Sequence, residues 1–315
     1  MNETALDQCS NCGGRVSPKL DVVSYETEEA FDILVCFACG LGQTSPQPED
    51  LDKYYADYHG GRHGFTARFR AWSRARTLNS CVYQVANKSV LDVGCGDGDF
   101  LFAAQRAGWS VAGTERGERL SEMDSVKVLP DLFSVKAEFG ENSFDAVTCW
   151  HTLEHFNVPS ETLAEINKLL KPKGVLLIAV PNFGGWQSRL FGKHWLHLDV
   201  PRHLWHFTTN SLQGLLHKSG FNLNRAWHRE FEYDVLGWSQ SCLNTIFRTP
   251  NVFFHLLSGK ATDVNVATKL INFLFGSLFS AVSLPLVLIG SLAGRGGSLV
   301  IEAAKFDNST QISAK

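Results

Sequence analysis

From Ser89 onward the apolar positions alternate between two rhythms. SVLDVGCG is a short apolar run that ends in glycines and predicts a strand. DFLFAAQRAG spaces its apolar residues as a helix and stops at Gly108. WSVAGTE and FDAVTCW (144–150) predict two more strands. PSETLAEINKLLKPKG sets Pro159 at a helix start, puts Leu163, Ile166, Leu169 and Leu170 on one face, and stops at Lys-Pro-Lys-Gly. GVLLIAVPN is apolar without interruption, as a strand buried on both faces requires. GSLVIEAAK reads as one last strand. Strands that alternate with helices predict an α/β fold with a parallel sheet.

The flanks do not keep this rhythm. Residues 9–39 are bounded by cysteine pairs, and QTSPQPED (43–50) reads as a linker. Residues 51–88 mix aromatics with Arg62, Arg68, Arg70, Arg74 and Arg76 and are expected to be helical. Residues 234–297 are aromatic and aliphatic, with no charged residue from Leu270 to Gly294. That run is long enough to span a bilayer, but a single crossing would strand GSLVIEAAK on the far side from its sheet. The pattern therefore favours a helical hairpin bent near Pro285. Val235–Leu257, with Trp238, Phe253 and Phe254, reads as an interfacial helix. Three uses stand open: attachment to a membrane surface or a lid over a lipid substrate, an oligomer interface such as a homodimer, and a true span. The expected organisation is a module at 1–45, a helical linker or cap at 46–87, a core at 88–233, the apolar insert at 234–297, and the last strand and tail at 298–315.

Composition sets limits on these readings. Hydrophobic residues at 44% and charged residues at 19% exclude a disordered chain. Lysine and arginine (29) nearly balance aspartate and glutamate (32), which argues against a nucleic-acid partner held by overall basicity. The first residues, MNETALDQCSNCGG, show no secretory pattern. A cytoplasmic protein is expected, with a peripheral position on the inner face of the membrane if the insert attaches there. Its eight cysteines are then thiols or metal ligands.

The glycine-rich turn carries the first chemistry. Glycines let the backbone approach a ligand, and a helix N-terminus offers free N–H groups. The spacing is Gly94, Gly96, Gly98, with Asp99 where a dinucleotide loop would place its third glycine. Asp97 and Asp99 would repel a pyrophosphate and suit a ligand with a cationic amino-acid end. Glu115 ends the next strand, where a carboxylate can accept both hydroxyls of a ribose.

VLDVGCGDGDF resembles the first motif of class I S-adenosylmethionine-dependent methyltransferases. FDAVTCWHTLEHF, LLKPKGVLLIAVPN and PRHLWHFT resemble the subgroup related to quinone and small-molecule methyltransferases. The likeness covers about residues 88–233 and the last strand. It implies a Rossmann-like, seven-stranded, mostly parallel sheet with an antiparallel last strand. It also implies that Asp92, Gly94, Gly96 and Gly98 line the methionine end of the cofactor, that Glu115 holds the ribose, and that Asp131 and Leu132 flank the adenine. His151, Glu154 and His155 follow the fourth strand. His155 is the expected base, since histidine titrates near neutrality, with Glu154 orienting it; the alternative is that both shape the loop.

His194, His197, Asp199, Arg202, His203 and His206 form a second cluster. It resembles the acceptor-side run of the same subgroup, which makes His203 and Arg202 candidates for acceptor binding and catalysis. Structural histidines and a metal site are the other readings. Cys9-x-x-Cys12 and Cys36-x-x-Cys39 have the form of two knuckles, and four thiolates close a tetrahedral structural Zn²⁺ site. This module looks like the N-terminal zinc module of some sugar C-methyltransferases, followed as there by tyrosines; Tyr58 and His59 could reach over the pocket or pack at the junction. Cys81, Cys95, Cys149 and Cys242 read as buried small residues.

The expected function is methyl transfer from S-adenosylmethionine to a small-molecule or lipid-linked acceptor, such as a polyprenyl-linked sugar or a quinone precursor. The alternatives are C- or O-methylation of a soluble nucleotide sugar, and a non-catalytic zinc-bearing scaffold.

Overall fold

The computed structural model describes residues 8–25, 27–55, 65–82, 87–116, 126–260 and 262–306. The expectations placed on Tyr58, His59 and Arg62 fall outside these residues.

The described chain begins with strands β1 (Val16–Val23), β2 (Ala30–Cys36) and β3 (Gly42–Ser45), followed by helix α1 (Phe65–Cys81). Next come β4 (Ser89–Val93), α2 (Asp99–Arg106), β5 (Ser110–Thr114), β6 (Lys127–Leu129), α3 (Leu132–Phe139) and β7 (Phe144–Trp150). They are followed by α4 (Pro159–Leu169), β8 (Leu170–Pro181), α5 (Trp186–Phe191), β9 (Trp205–His206), α6 (Thr209–Lys218) and β10 (Phe221–Trp227). The last elements are α7 (Phe231–Ile246), α8 (Val252–Ser258), α9 (Val266–Leu292) and β11 (Ser298–Lys305). The chain divides into two compact units. One comprises 1–64, 181–214 and 227–299, and the other 65–180, 215–226 and 300–315. The units are interleaved along the chain, whereas the domains expected from the sequence follow one another in order.

The second unit is built on the seven-stranded sheet, in the order β10-β11-β8-β7-β4-β5-β6. The pairs β4/β5, β4/β7, β5/β6 and β7/β8 are parallel. The last strand enters between β8 and β10 and runs against both. Asn182 N–H bonds the Gly297 carbonyl at one end of β11, while Lys305 Nζ reaches the Leu170 carbonyl at the other. Phe306 N–H bonds Gly220 O at the start of β10. This is the α/β sheet expected from the alternating pattern. Its centre is dry, with Val147, Cys149, Leu176, Ile178 and Val180 all buried, as strands covered on both faces require. α4 buries Leu163, Ile166 and Leu169 on one face.

The first unit holds a four-stranded antiparallel sheet, β1-β2-β3-β9. Between the cysteine pairs β1 and β2 form a hairpin, closed where Ser24 N–H bonds Glu29 O at 2.8 Å. The fourth strand is an addition that the sequence does not reveal: Gly42 pairs with His206 and Gln43 with Trp205. The core gathers Val22 and Ile33 with Phe183, Phe191, Trp195 and Leu198.

Several elements differ from the sequence reading: the first residues of the expected linker at 43–50 belong to β3, and the helix expected over Val235–Leu257 is split between α7 and α8. α4 stops at Leu169, and Lys-Pro-Lys-Gly is the irregular start of β8, where the register shifts between the Phe144 and Ala146 pairs. Proline biases the residue before it toward extended backbone, so the chain leaves the helix earlier than the apolar spacing suggests. The chain does not turn back near Pro285 as expected: α9 continues through the proline as one helix. The helix packs on both sides of the proline, Gly276 against Phe253 and Gly290 against Trp186. The chain turns back at α8 instead.

Candidate functional site

β4 delivers Asp92 to the carboxyl edge of the sheet, and the turn that follows carries Gly94, Gly96 and Gly98 at φ of 73°, 53° and 75°. Three left-handed positions in five residues explain the glycines, since a Cβ is costly there. At Gly94 a Cβ would also lie 2.4 Å from Thr152 Cγ2. Among the described residues nothing lies within 4 Å of where a Cβ on Gly96 would be, so the loop backbone borders open space among them. The loop is pinned from below. Gly94 N–H donates to Thr114 Oγ1 at 3.2 Å, and Cys95 N–H to Thr114 O at 2.8 Å. Cys95 is buried and sits where a side chain on Gly113 would go, so it is the packing residue the sequence suggested.

Glu115 ends β5 and accepts the Gly96 N–H at 2.6 Å and the Arg116 N–H at 2.9 Å. Asp92 is buried, and Thr148 Oγ1, directly across the β4/β7 pair, donates to its Oδ1 at 2.6 Å. Burial pushes the Asp92 carboxyl up to about 7, against the pull of Thr148 and Arg74, while Glu115 adds to the rise. A carboxyl so raised at a strand end is the kind of group that functional sites hold. Asp131 caps α3, accepting the Ser134 N–H at 2.7 Å, and Leu132 opens that helix. The Ser134 and Phe133 amides hold its carboxyl below the usual range.

β7 ends at Trp150, and His151 follows it with a φ of 56°, rare for a residue with a side chain. His151 Nδ1 lies 3.7 Å from Glu154 Oε1, and Glu154 is wholly buried. His155 follows it in a short 3-10 turn and is partly exposed. The strand end thus brings together Asp92, Thr148, His151, Glu154 and His155 within the second unit. Thr148, Thr114 and Arg74 were not candidates from the sequence. A threonine in a strand looks like sheet propensity until the register sets it beside Asp92.

The other cluster lies in the first unit. Arg202 is buried, with Nε donating to Asp199 Oδ2 at 3.0 Å, a second close contact from Nη2 to Asp199 Oδ1, and Nη1 on the Tyr54 carbonyl at 3.2 Å. His203 Nδ1 is 3.0 Å from the His197 carbonyl, His197 Nε2 is 3.0 Å from the Tyr233 carbonyl, and His206 Nε2 is 3.0 Å from Thr44 Oγ1. Arg202, His197, His203 and His206 bond backbone and side chains of this segment and its neighbours, which fixes the loop, while His194 Nδ1 is buried without a partner among the described residues.

The four cysteines of the same unit converge. Cys9 and Cys39 sulfurs are 3.7 Å apart, Cys12 and Cys36 sulfurs 3.4 Å, and all four lie within 4.8 Å of one another. Tetrahedral zinc–thiolate bonds place sulfurs about 3.8 Å apart, so the set fits that ion. Gly13 and Gly40 take φ of 72° and 73° after each pair, with Gly13 N–H on Cys9 O and Gly40 N–H on Cys36 O. Burial would raise the Cys36 thiol, but the N–H groups of Cys39 and Ala38 outweigh it and bring it to about 7.

The observed glycine turn, its open backbone and the two carboxylates fit a ligand with a cationic end and a ribose, as S-adenosylmethionine has. Residues 65–226 match a family described as "Methyltransferase domain". The chain is 33% identical over 111 residues to a ubiquinone biosynthesis O-methyltransferase of Saccharophagus degradans, a stretch of 31% of this chain and 46% of that protein. It is 36% identical over 108 residues to the enzyme of that name from Pseudomonas paraeruginosa, again 31% of this chain and 46% of the other. The chain therefore spans about half the length of the curated relatives it matches. A solved methyltransferase from Archaeoglobus fulgidus is similar over 81% of this chain and 100% of its own, at 17% identity and a TM-score of 0.48.

Proposed function

The chain belongs to the methyltransferase-domain family, and from that premise we propose that it transfers a methyl group from S-adenosylmethionine to an apolar, quinone-type or lipid-linked acceptor. The observation that carries this reading is the left-handed glycine turn set between two carboxylates, Asp92 and Glu115, at the carboxyl ends of parallel strands.

The cofactor supplies an electrophilic methyl on a sulfonium. The chain's residues divide the remaining work. Asp92 faces the cationic methionine end over Gly94, Gly96 and Gly98; Glu115 accepts the ribose hydroxyls; Asp131 and Leu132 border the adenine. His155 accepts the proton of the attacking acceptor group, and buried Glu154 orients it. As the acceptor's new bond to the methyl carbon forms, the carbon–sulfur bond breaks and the positive charge of the sulfonium is lost. Arg202 acts as a positioning residue, stiffening through Asp199 the loop that carries His203. The four thiolates of Cys9, Cys12, Cys36 and Cys39 hold one structural Zn²⁺ and take no part in the transfer.

The reading of the acceptor follows the curated relatives, whose names place them in ubiquinone biosynthesis. Labelled S-adenosylmethionine, incubated with the protein and an extract of its source cells, is expected to deliver label to the organic phase. Label confined to the aqueous phase would move the acceptor to a soluble sugar, and no transfer to either phase would reject the enzyme reading. His155→Ala should lower kcat by about 10²–10⁴, the usual worth of a general base, and leave cofactor affinity unchanged in calorimetry. An unaltered kcat would remove His155 from that role. Glu115→Ala should weaken cofactor binding by about tenfold or more, since hydrogen bonds to a charged group contribute about 1.5–3 kcal/mol, with kcat at saturation little altered. Equal affinity would show that the carboxylate serves only the Gly96 and Arg116 amides.

A further inference from the structure

α9 is built inside out. Its buried positions are Asn272, Gly276, Ser283, Val287 and Gly290, while Ile271, Leu274, Phe275, Leu278, Val282 and Ile289 are exposed. At about 100° per residue the buried set occupies a strip of about 60°, and the exposed large apolar side chains sweep through about 220° of the circumference. A helix of a soluble protein shows the reverse arrangement. Its most apolar window has mean hydropathy 2.1 and is only 22% buried, so α9 is not a core helix.

The buried strip is a close-packing seam. A Cβ on Gly276 would come 2.5 Å from the ring of Phe253 in α8, and Gly290 meets Trp186. Small residues on the packed side and large ones outward are what helices show where the surroundings are hydrocarbon and not water. The polar groups of α9 agree with this. Ser277 Oγ donates to Phe273 O, Ser280 Oγ to Gly276 O, Ser283 Oγ to Ser280 O, and Asn272 Nδ2 to Thr268 O, at 2.7–3.0 Å. Each of these donors is satisfied within the helix, as a medium without water demands, while Asn272 Oδ1 is buried without a partner among the described residues. The charges nearest the apolar run are Lys269 and Arg295, one at each end.

A second copy of the chain is the rival occupant. One partner helix covers a single face, and an arc of about 220° would remain largely wet. Only a surrounding fluid meets the whole arc. The orientation also follows. The seam joins α9 to α8 at Gly276 and to α5 at Gly290, so one side of the helix is held by its own unit over much of its length. Gly296 and Gly297, just past its end, are bonded to Asn182.

We propose that α9 seats this protein on a lipid bilayer as an in-plane, monotopic anchor, its exposed arc immersed in the acyl region of one leaflet and neither end crossing to the far side. This rests on α9 alone and is independent of the methyl-transfer reading.

Full-length protein mixed with phosphatidylcholine–phosphatidylglycerol vesicles in high salt tests it. The protein is expected to float with the vesicles. The double variant Leu274→Glu and Leu278→Glu should reduce the floated fraction at least about tenfold while melting like the parent, because both positions are exposed. Trypsin added outside the vesicles should still cut bound protein at both Lys260 and Arg295. Protein that stays in the dense fraction overturns the anchor. Floating protein with one of the two sites protected overturns the in-plane arrangement in favour of a span. A discrete dimer without lipid, which the double variant converts to a monomer while the parent fails to float, makes the surface a subunit interface.

Discussion

Cys36→Ser is expected to yield protein without bound metal and with the first unit melted or loosened at ordinary temperatures. The parent chain, purified anaerobically, should carry one zinc per chain by atomic absorption. The effect is large because a ligand set of this kind exists only when folded, so metal-binding free energy becomes folding free energy, about 10–16 kcal/mol in zinc-finger peptides. The loss would not stay local. Asn11 Nδ2 bonds the Ser211 carbonyl at 2.8 Å and Thr208 Oγ1 bonds the Cys39 carbonyl at 3.1 Å, so both knuckles are tied to the start of α6. Near-ultraviolet circular dichroism should record the change through Trp195 and Trp205, buried in the same unit. Metal-free parent protein with an unchanged spectrum and melting temperature would dismiss the zinc.

Asp92→Asn is expected to stabilise the cofactor-free protein and to cripple cofactor binding. The Asp92 carboxyl stands at about 7 in the fold against an ordinary value of 3.8. Its folded value is the raised one, so its contribution is fully present below about pH 4 and is lost as pH rises through about 7. The loss is at most about 4 kcal/mol. Asparagine escapes it and can still accept the Thr148 hydroxyl. At pH 8 the variant should therefore melt several degrees higher than the parent, with a flatter dependence on pH. Its affinity for S-adenosylmethionine should fall about tenfold or more, because the cation has lost its counter-charge. In the parent, that affinity should rise with pH up to and just beyond 7. Calorimetric titrations at pH 6 and 8 decide the matter, and equal affinities for parent and variant would deprive Asp92 of its role. Stability given up at a binding carboxylate is the pattern of a functional site.

Much of the second unit was legible because its signals are local. An uninterrupted apolar run, a glycine turn and a helix stop at Gly108 each act over a few residues, and β4, α2 and β5 lie where they point. Asp92, the three glycines and Glu115 lie at that turn and those strand ends for the same reason. The cysteine spacing likewise announced four sulfurs that do converge. What escaped depends on pairing across the chain. Thr148 matters only through its register with Asp92. For the histidine segment acceptor-site, structural and metal readings stood open, and its ties to Thr44, Tyr54 and Tyr233 are contacts no local pattern encodes. α9 was legible as apolar, yet its inversion appears only when the buried strip is seen to be made of Gly276, Ser283 and Gly290. Proline chemistry pointed to a turn back near Pro285, and α9 continues through it, packed on either side.

The β3/β9 pairing also sets an order of events during synthesis. A ribosome completes β3 at Ser45 but does not reach its edge partner until Trp205 and His206. At 5–20 residues per second that leaves an interval on the order of ten seconds or more. The β1/β2 hairpin and the cysteine knuckles can form early, with one edge of their sheet still open. An open edge invites pairing with another nascent chain. A fragment ending at the linker would keep that edge for good, so the N-terminal module is a poor candidate for transplantation by itself.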